Sequence, residues 1–139
     1  MRIVFITFLM AIAFVSNVVA QHSLEVAIKN IKSSEGTVKV AIFTNEKDFL
    51  KNAYQTKSVK AATGSVAVSF DNLPEGPYAL SIFHDENDNG KLDTNFMGIP
   101  KEGFAFGNNA MGTFGPPSFA KSKIELTAPA SQEISLRFM

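Results

Sequence analysis

The sequence predicts an all-β fold, an antiparallel Greek-key β-sandwich of about seven short strands, with one long ordered loop rich in glycine, phenylalanine and proline. Three observations predict it. Apolar and polar residues alternate over short stretches, the period of a strand with one buried face. Turn residues separate those stretches, and helical spacing is confined to one brief segment. The chain of 139 residues contains no cysteine, so a core rather than disulfides must hold it together.

The chain opens on Met1 and Arg2, followed by an almost wholly apolar run to Ala20. One positive charge, an apolar stretch, and small residues at Val18 and Ala20 form the pattern of a secretory signal peptide, with cleavage expected after Ala20. Residues 1–20 are therefore read as a signal segment and 21–139 as a single β-sandwich domain. A retained membrane anchor is the alternative, since the run approaches the length that spans a bilayer, roughly 17–25 residues. With no cysteine, a lipid anchor on that residue is not expected. After cleavage no membrane insertion is expected. Without Arg2 the chain is close to neutral, which leaves no electrostatic footprint for nucleic acid.

The elements follow in order. Leu24, Val26 and Ile28 alternate with polar or small neighbours, and so do Val38, Val40 and Ile42 after the turn at 33–36. Asn45 can cap a helix of at most two turns over 46–52. A weaker strand is expected at 58–62. Val66, Val68 and Phe70 give another strand, then Tyr78, Leu80 and Ile82, then Ile124 and Leu126, and finally Ile134, Leu136 and Phe138. Val26, Val40, Val68, Leu80 and Leu136 are the expected core. Between two of these strands, Leu73-Pro74-Glu75-Gly76-Pro77-Tyr78 forms a tight turn: proline fixes one φ and glycine supplies a conformation that other residues resist. That turn resembles those entering a central strand in transthyretin-like and other prealbumin-type sandwiches, and the expected architecture is prealbumin- or immunoglobulin-like.

Residues 84–93 read His-Asp-Glu-Asn-Asp-Asn-Gly-Lys-Leu-Asp. Oxygen-bearing side chains at Asp85, Asn87 and Asn89, then Gly90, then Asp93 follow the front of a calcium loop, in which a hard cation gathers six to eight oxygens around a sharp turn. Lys91 occupies the slot where such loops use only a backbone carbonyl. The twelfth position, which should be a bidentate Glu, is Phe96. Glu102, Asn95, a backbone carbonyl or water would have to close the shell. The competing reading is a turn rich in Asp and Asn, because these side chains bond their own backbone without any metal. Ca2+ is thus the one cofactor the sequence suggests. Two histidines and no cysteine argue against zinc.

His84 extends the inward set of Tyr78, Leu80 and Ile82, and is expected to be a hydrogen-bonded histidine at a strand end. A hydrolase built on His84 and Asp85 with Ser118 is a remote alternative, since nothing in the spacing demands it. Residues 96–119 have no clean period, yet contain Phe96, Phe104, Phe106, Phe114 and Phe119, which need somewhere to be buried. They are expected to fold back over one end of the sandwich. Phe104, Phe106, Asn108 and Asn109 are the candidate contacts for a carbohydrate or small ligand; the plainer reading is that the rings staple the loop and the amides cap its backbone.

Taken in order, Leu73-Pro74-x-Gly76-x-Tyr78, the loop 84–93, Gly98-Ile99-Pro100-Lys101-Glu102-Gly103-Phe104-x-Phe106-Gly107-Asn108-Asn109 and Gly115-Pro116-Pro117-Ser118-Phe119 resemble the bacterial domain-of-unknown-function family 2141. The resemblance spans nearly all of 24–138. It implies a small exported envelope protein and brings no activity or catalytic residue. Gly107 stands where the family more often has serine. The expected function is an exported, non-enzymatic module whose loop end, held by calcium, contacts an envelope protein or glycan.

Overall fold

The computed structural model of the chain describes residues 16–139. The first fifteen residues of the expected signal segment lie outside the described residues. Among the described residues, eight strands form two sheets: β1 (Gln21–Ile31), β2 (Thr37–Phe43), β3 (Gln55–Lys60), β4 (Gly64–Pro74), β5 (Gly76–Asp85), β6 (Phe104–Phe106), β7 (Lys123–Leu126) and β8 (Ala130–Ser135). One sheet has the order β4-β1-β8. The other has the order β3-β2-β5-β6, with β7 also on β5. The expected all-β sandwich is therefore present.

Its core is the alternating set read from the sequence. Leu24, Val26 and Ile28 from β1 meet Val38, Val40 and Ile42 from β2, Leu80 and Ile82 from β5, and Ile134 and Leu136 near the end. All are sealed from solvent. Complete burial of a Leu, Ile or Val contributes about 1.5–3 kcal/mol relative to exposure, so this cluster dominates the stability of the fold. Tyr78 is buried too, and its hydroxyl donates to Pro74 O at 2.7 Å, closing the turn between β4 and β5.

Several expectations are corrected. The pairing is not wholly antiparallel: β8 runs parallel to β1, from Leu24↔Ala130 to Lys29↔Ser135. The chain crosses from β7 to the other sheet through residues 127–129 and reaches the free edge of β1 in β1's own direction. The expected helix at 46–52 is a succession of turns. Asn45 does cap it, accepting from Asp48 N at 2.9 Å, but Leu50 takes a left-handed φ of 60°, which a continuing helix does not accommodate. The weak strand lies at Gln55–Lys60 rather than 58–62, and the last strand ends at Ser135. Val68 is only half-buried, because β4 is the edge of its sheet.

β5 positions the site. Its first half pairs with β7, from Gly76↔Leu126 to Ala79↔Lys123. Its second half pairs with β6, from Ser81↔Phe106 to Phe83↔Phe104. The excursion 86–103 therefore leaves β5 and returns along the same edge. A 3-10 turn (Gly107–Asn109) and one helical turn, α1 (Phe119–Ser122), carry the chain on to β7. Ala105 joins the core, so Phe104 and Phe106 face the other way, toward the excursion.

Candidate functional site

The excursion begins where β5 ends, and its first turn is built on a buried carboxylate. Asp85 is fully buried; one oxygen accepts from Asn89 N at 3.1 Å and the other from Gly90 N at 2.8 Å. Lys39 Nζ lies 4.0 Å from the second oxygen. Gly90 has φ 84°, a conformation glycine tolerates without strain. Gly36 packs beneath: a Cβ there would sit 2.0 Å from Asp85 O. Thr37 Oγ1 donates to Asp88 Oδ1 at 3.0 Å and ties the turn to β2.

The remaining oxygen-bearing side chains gather on Asp93. Asn89 Nδ2 donates to both of its oxygens at 2.7 and 2.9 Å, and Asn87 Nδ2 to one at 2.6 Å. These bonds stabilise the ionised form, those from Asn89 most and from Asn87 next, and hold the Asp93 carboxyl below its ordinary pKa. Each asparagine also turns its carbonyl oxygen onto the backbone: Asn87 Oδ1 accepts from Asn89 N at 3.3 Å, and Asn89 Oδ1 from Lys91 N at 3.1 Å. The Lys91 side chain is exposed. Phe96, in the closing slot, is 97 % exposed and closes nothing. Among the described residues, no three His, Cys, Asp or Glu side chains gather into a metal-binding group; the donors of this loop are two carboxylates and two amides.

Glu102 has a role that sequence reasoning raised only as a substitute calcium ligand. It is buried, and its oxygens accept from Glu86 N at 3.1 Å and Asp93 N at 3.0 Å. One side chain thus clamps both ends of the loop from beneath. Beyond it, Asn95 Oδ1 accepts from Met97 N and Ile99 N at 2.8 and 3.0 Å, and Thr94 bridges Pro100. Residues 94–100 form a small hairpin that carries Phe96 and Met97 into solvent, Met97 at 68 % exposure.

Asn108 and Asn109, both with left-handed φ, are engaged in stitching strands. Asn108 Nδ2 donates to Lys121 O and Lys123 O at 3.1 and 2.8 Å, and its Oδ1 accepts from Gln132 Nε2 at 2.9 Å. Asn109 Nδ2 donates to Glu133 O at 3.1 Å, and its Oδ1 accepts from Ser135 N at 2.9 Å. The glycine between Phe106 and Asn108 fits its setting: a Cβ on Gly107 would lie 2.0 Å from Ser122 O. Phe119 staples the segment between β6 and β7, its ring 5.8 Å from Phe49, which in turn lies 5.4 Å from Phe43.

Phe104 and Phe106 pack edge to face at 6.1 Å and floor a groove of about 770 Å³ between the 94–100 hairpin and residues 111–116. Leu50, Leu92, Met97, Ile99, Met111 and Met139 contribute to its walls, and among the described residues no charged side chain lines it. Phe114 stands fully exposed at the rim. The sequence pointed to the two floor rings but missed the walls; the only available signal was methionine at positions with no periodicity.

His84 is fully buried. Its Nε2 donates to Glu35 O at 2.7 Å, while Nδ1 has no hydrogen-bond partner among the described residues and lies 3.7 Å from Glu86 Oε1. Ser118 caps α1, its hydroxyl accepting from Lys121 N at 3.3 Å. No helix among the described residues is long and apolar enough to cross a membrane.

The family described as an uncharacterized protein conserved in bacteria (DUF2141) matches residues 26–135. No curated protein matches the chain, and neither does any solved structure.

Proposed function

The chain belongs to the DUF2141 family of uncharacterized bacterial proteins, and on that premise we propose that it is an exported, non-catalytic binding module whose working surface is the loop end of the sandwich. The observation that carries this reading is the apolar groove of about 770 Å³ with Met97 and Phe114 exposed at its edge. Contiguous exposed apolar surface of this kind marks contact sites, and the size falls in the range of ligand pockets, about 300–1,000 Å³. The signal pattern of residues 1–20 supports export and an occupant met in the envelope. The non-catalytic part is supported by the engagement of the titratable groups: His84 and Asp85 are fully buried and bonded to backbone, so neither is offered to a substrate. Methionine oxidation by hydroxyl radicals, compared between intact bacterial envelopes and the purified protein, tests the reading. Met97 and Met111 are expected to be protected in the envelope. Equal oxidation in both settings would remove the loop end as a working surface.

A second part of the proposal is that calcium fastens the groove wall. The observation favouring it is that the Asn87 and Asn89 amides converge on the Asp93 carboxylate within 2.6–2.9 Å. Rotating those amides would gather their oxygens with Asp93 about one hard cation. With so few charges the affinity would be weak, ~10⁻⁴–10⁻³ M; at a hundredfold excess calcium would stabilise the fold by about 2.7 kcal/mol. Asp93, rather than the buried Asp85, is the residue to change. The melting temperature should rise with calcium in the unaltered protein and not in Asp93→Asn. A melting temperature indifferent to chelator would leave a plain Asx-rich turn.

A further inference from the structure

We propose that the groove over Phe104 and Phe106 takes an uncharged, apolar small molecule; this deepens, and rests on, the reading of the loop end as the working surface. The first argument is charge. Among the described residues, no acidic or basic side chain lines the groove, and the side-chain hydroxyls there are those of Thr94 and Thr113. A charged ligand would lose its hydration there without gaining a partner.

The second argument is the disposition of hydrogen-bonding groups. A bound peptide strand needs an open sheet edge. β6 borders the groove, and at Phe104 its outer edge is taken: Phe104 N donates to Arg137 O at 3.0 Å, and Arg137 N donates back to Phe104 O at 2.8 Å. The hairpin wall is closed on itself through the Thr94–Pro100 bridge. A glycan would bring many hydroxyls, and the nearby amides of Asn108 and Asn109 lie outside the groove lining and are committed to Lys121, Lys123, Glu133 and Ser135 backbone groups.

The third argument is plasticity and size. Met97, Met111 and Met139 contribute unbranched, polarisable side chains that adapt to irregular apolar shapes. A volume of about 770 Å³ suits one such molecule.

Fluorescence titration of the full protein with phenylnaphthylamine, an uncharged apolar probe, tests the assignment beside its anionic relative anilinonaphthalene sulfonate. One saturable site is expected for the neutral probe, with binding of the sulfonate at least about tenfold weaker. Leu50→Asp and Met97→Glu place a charge on two different walls, and each should weaken the neutral probe by about tenfold or more, whereas Met97→Leu should leave it unchanged. Asp tolerates the left-handed backbone at position 50, and an unchanged melting temperature verifies each variant's fold. Equal affinity for the two probes, or displacement of the neutral probe by a chitin oligosaccharide, overturns the assignment. Absence of saturable neutral-probe binding also overturns it. If Met97 and Met111 are nevertheless protected in envelopes, the occupant is a macromolecule and the binding-module reading stands; if they are oxidised equally in both settings, both fail.

Discussion

The two faces of β5 are covered in different ways. Tyr78, Leu80, Ile82 and His84 face inward, into a cluster of aliphatic side chains with almost no accessible surface. Ser81 and Phe83 face outward, beside Phe106 and Phe104, and their cover, the excursion and the segment after β6, is fastened by a few side chains that bond to backbone: Asp85, Asn95, Glu102, Asn108 and Asn109. The inner face is stabilised by area, which is non-directional and tolerant of which apolar residue supplies it. The outer cover depends on individual polar groups whose removal orphans specific N–H donors. A cover of the second kind can leave Met97 and Phe114 in solvent and a groove beneath, because it is not required to bury them.

The sharpest way to break this contrast is to weaken one face at a time. Leu80→Ala removes the centre of the inner face and should cost about 2–5 kcal/mol. Read by urea unfolding and amide exchange, the loss should reach both sheets and the excursion alike. Glu102→Ala orphans the Glu86 and Asp93 N–H groups, with an expected cost of about 1–3 kcal/mol. Here the faster exchange should stay within residues 86–103, leaving β1 and β2 amides as they were. If Glu102→Ala loosened β1 as much as the excursion, the two covers would be one cooperative unit and the contrast would fail.

Smaller effects sharpen the picture. Phe114→Ser changes a fully exposed ring, so unfolding free energy should move by no more than about 0.5 kcal/mol; a larger loss would mean that the rim contributes to the fold. The smallest effect concerns the turn that carries Leu50 to the groove wall. Asp48 accepts from Asn45 Nδ2 at 3.0 Å and Asn52 Nδ2 at 3.2 Å. These bonds, Asn45's most, lower its carboxyl pKa from 3.8. A carboxyl depressed in the folded state stabilises the protein above its unfolded value and loses that contribution as pH falls through the folded value. The melting-temperature gap between the protein and Asp48→Asn should therefore be present at neutral pH and close below about 3.8. A gap that persisted at pH 2 would assign it to packing instead of charge.

What could be read from residues follows the same division. Alternation located β1, β2, β4 and β5, because a strand with one buried face repeats every two residues. The turn at Leu73–Tyr78 was legible because proline and glycine restrict the backbone locally. The same logic misplaced the helix at 46–52, since apolar spacing does not register that Leu50 adopts a left-handed φ. β6 is three residues long, too short to show any period. Asp85, Asn87, Asn89 and Asp93 were visible as a loop, but the sequence did not distinguish the buried carboxylate that anchors backbone from the half-buried one that collects amides.

By itself the sequence determined the all-β class, most of the core faces and the turn chemistry, since each depends on neighbours one to four positions apart, and the family, from motifs spread over residues 73–119. Only the tertiary structure decided that β8 lies parallel to β1, that Glu102 reaches back sixteen residues to Glu86, and that residues as separated as Leu50, Met97 and Met139 wall one groove. Those juxtapositions come from segments far apart in the chain closing on one another, within and between the two sheets, and such long-range closure leaves no periodic trace in the sequence.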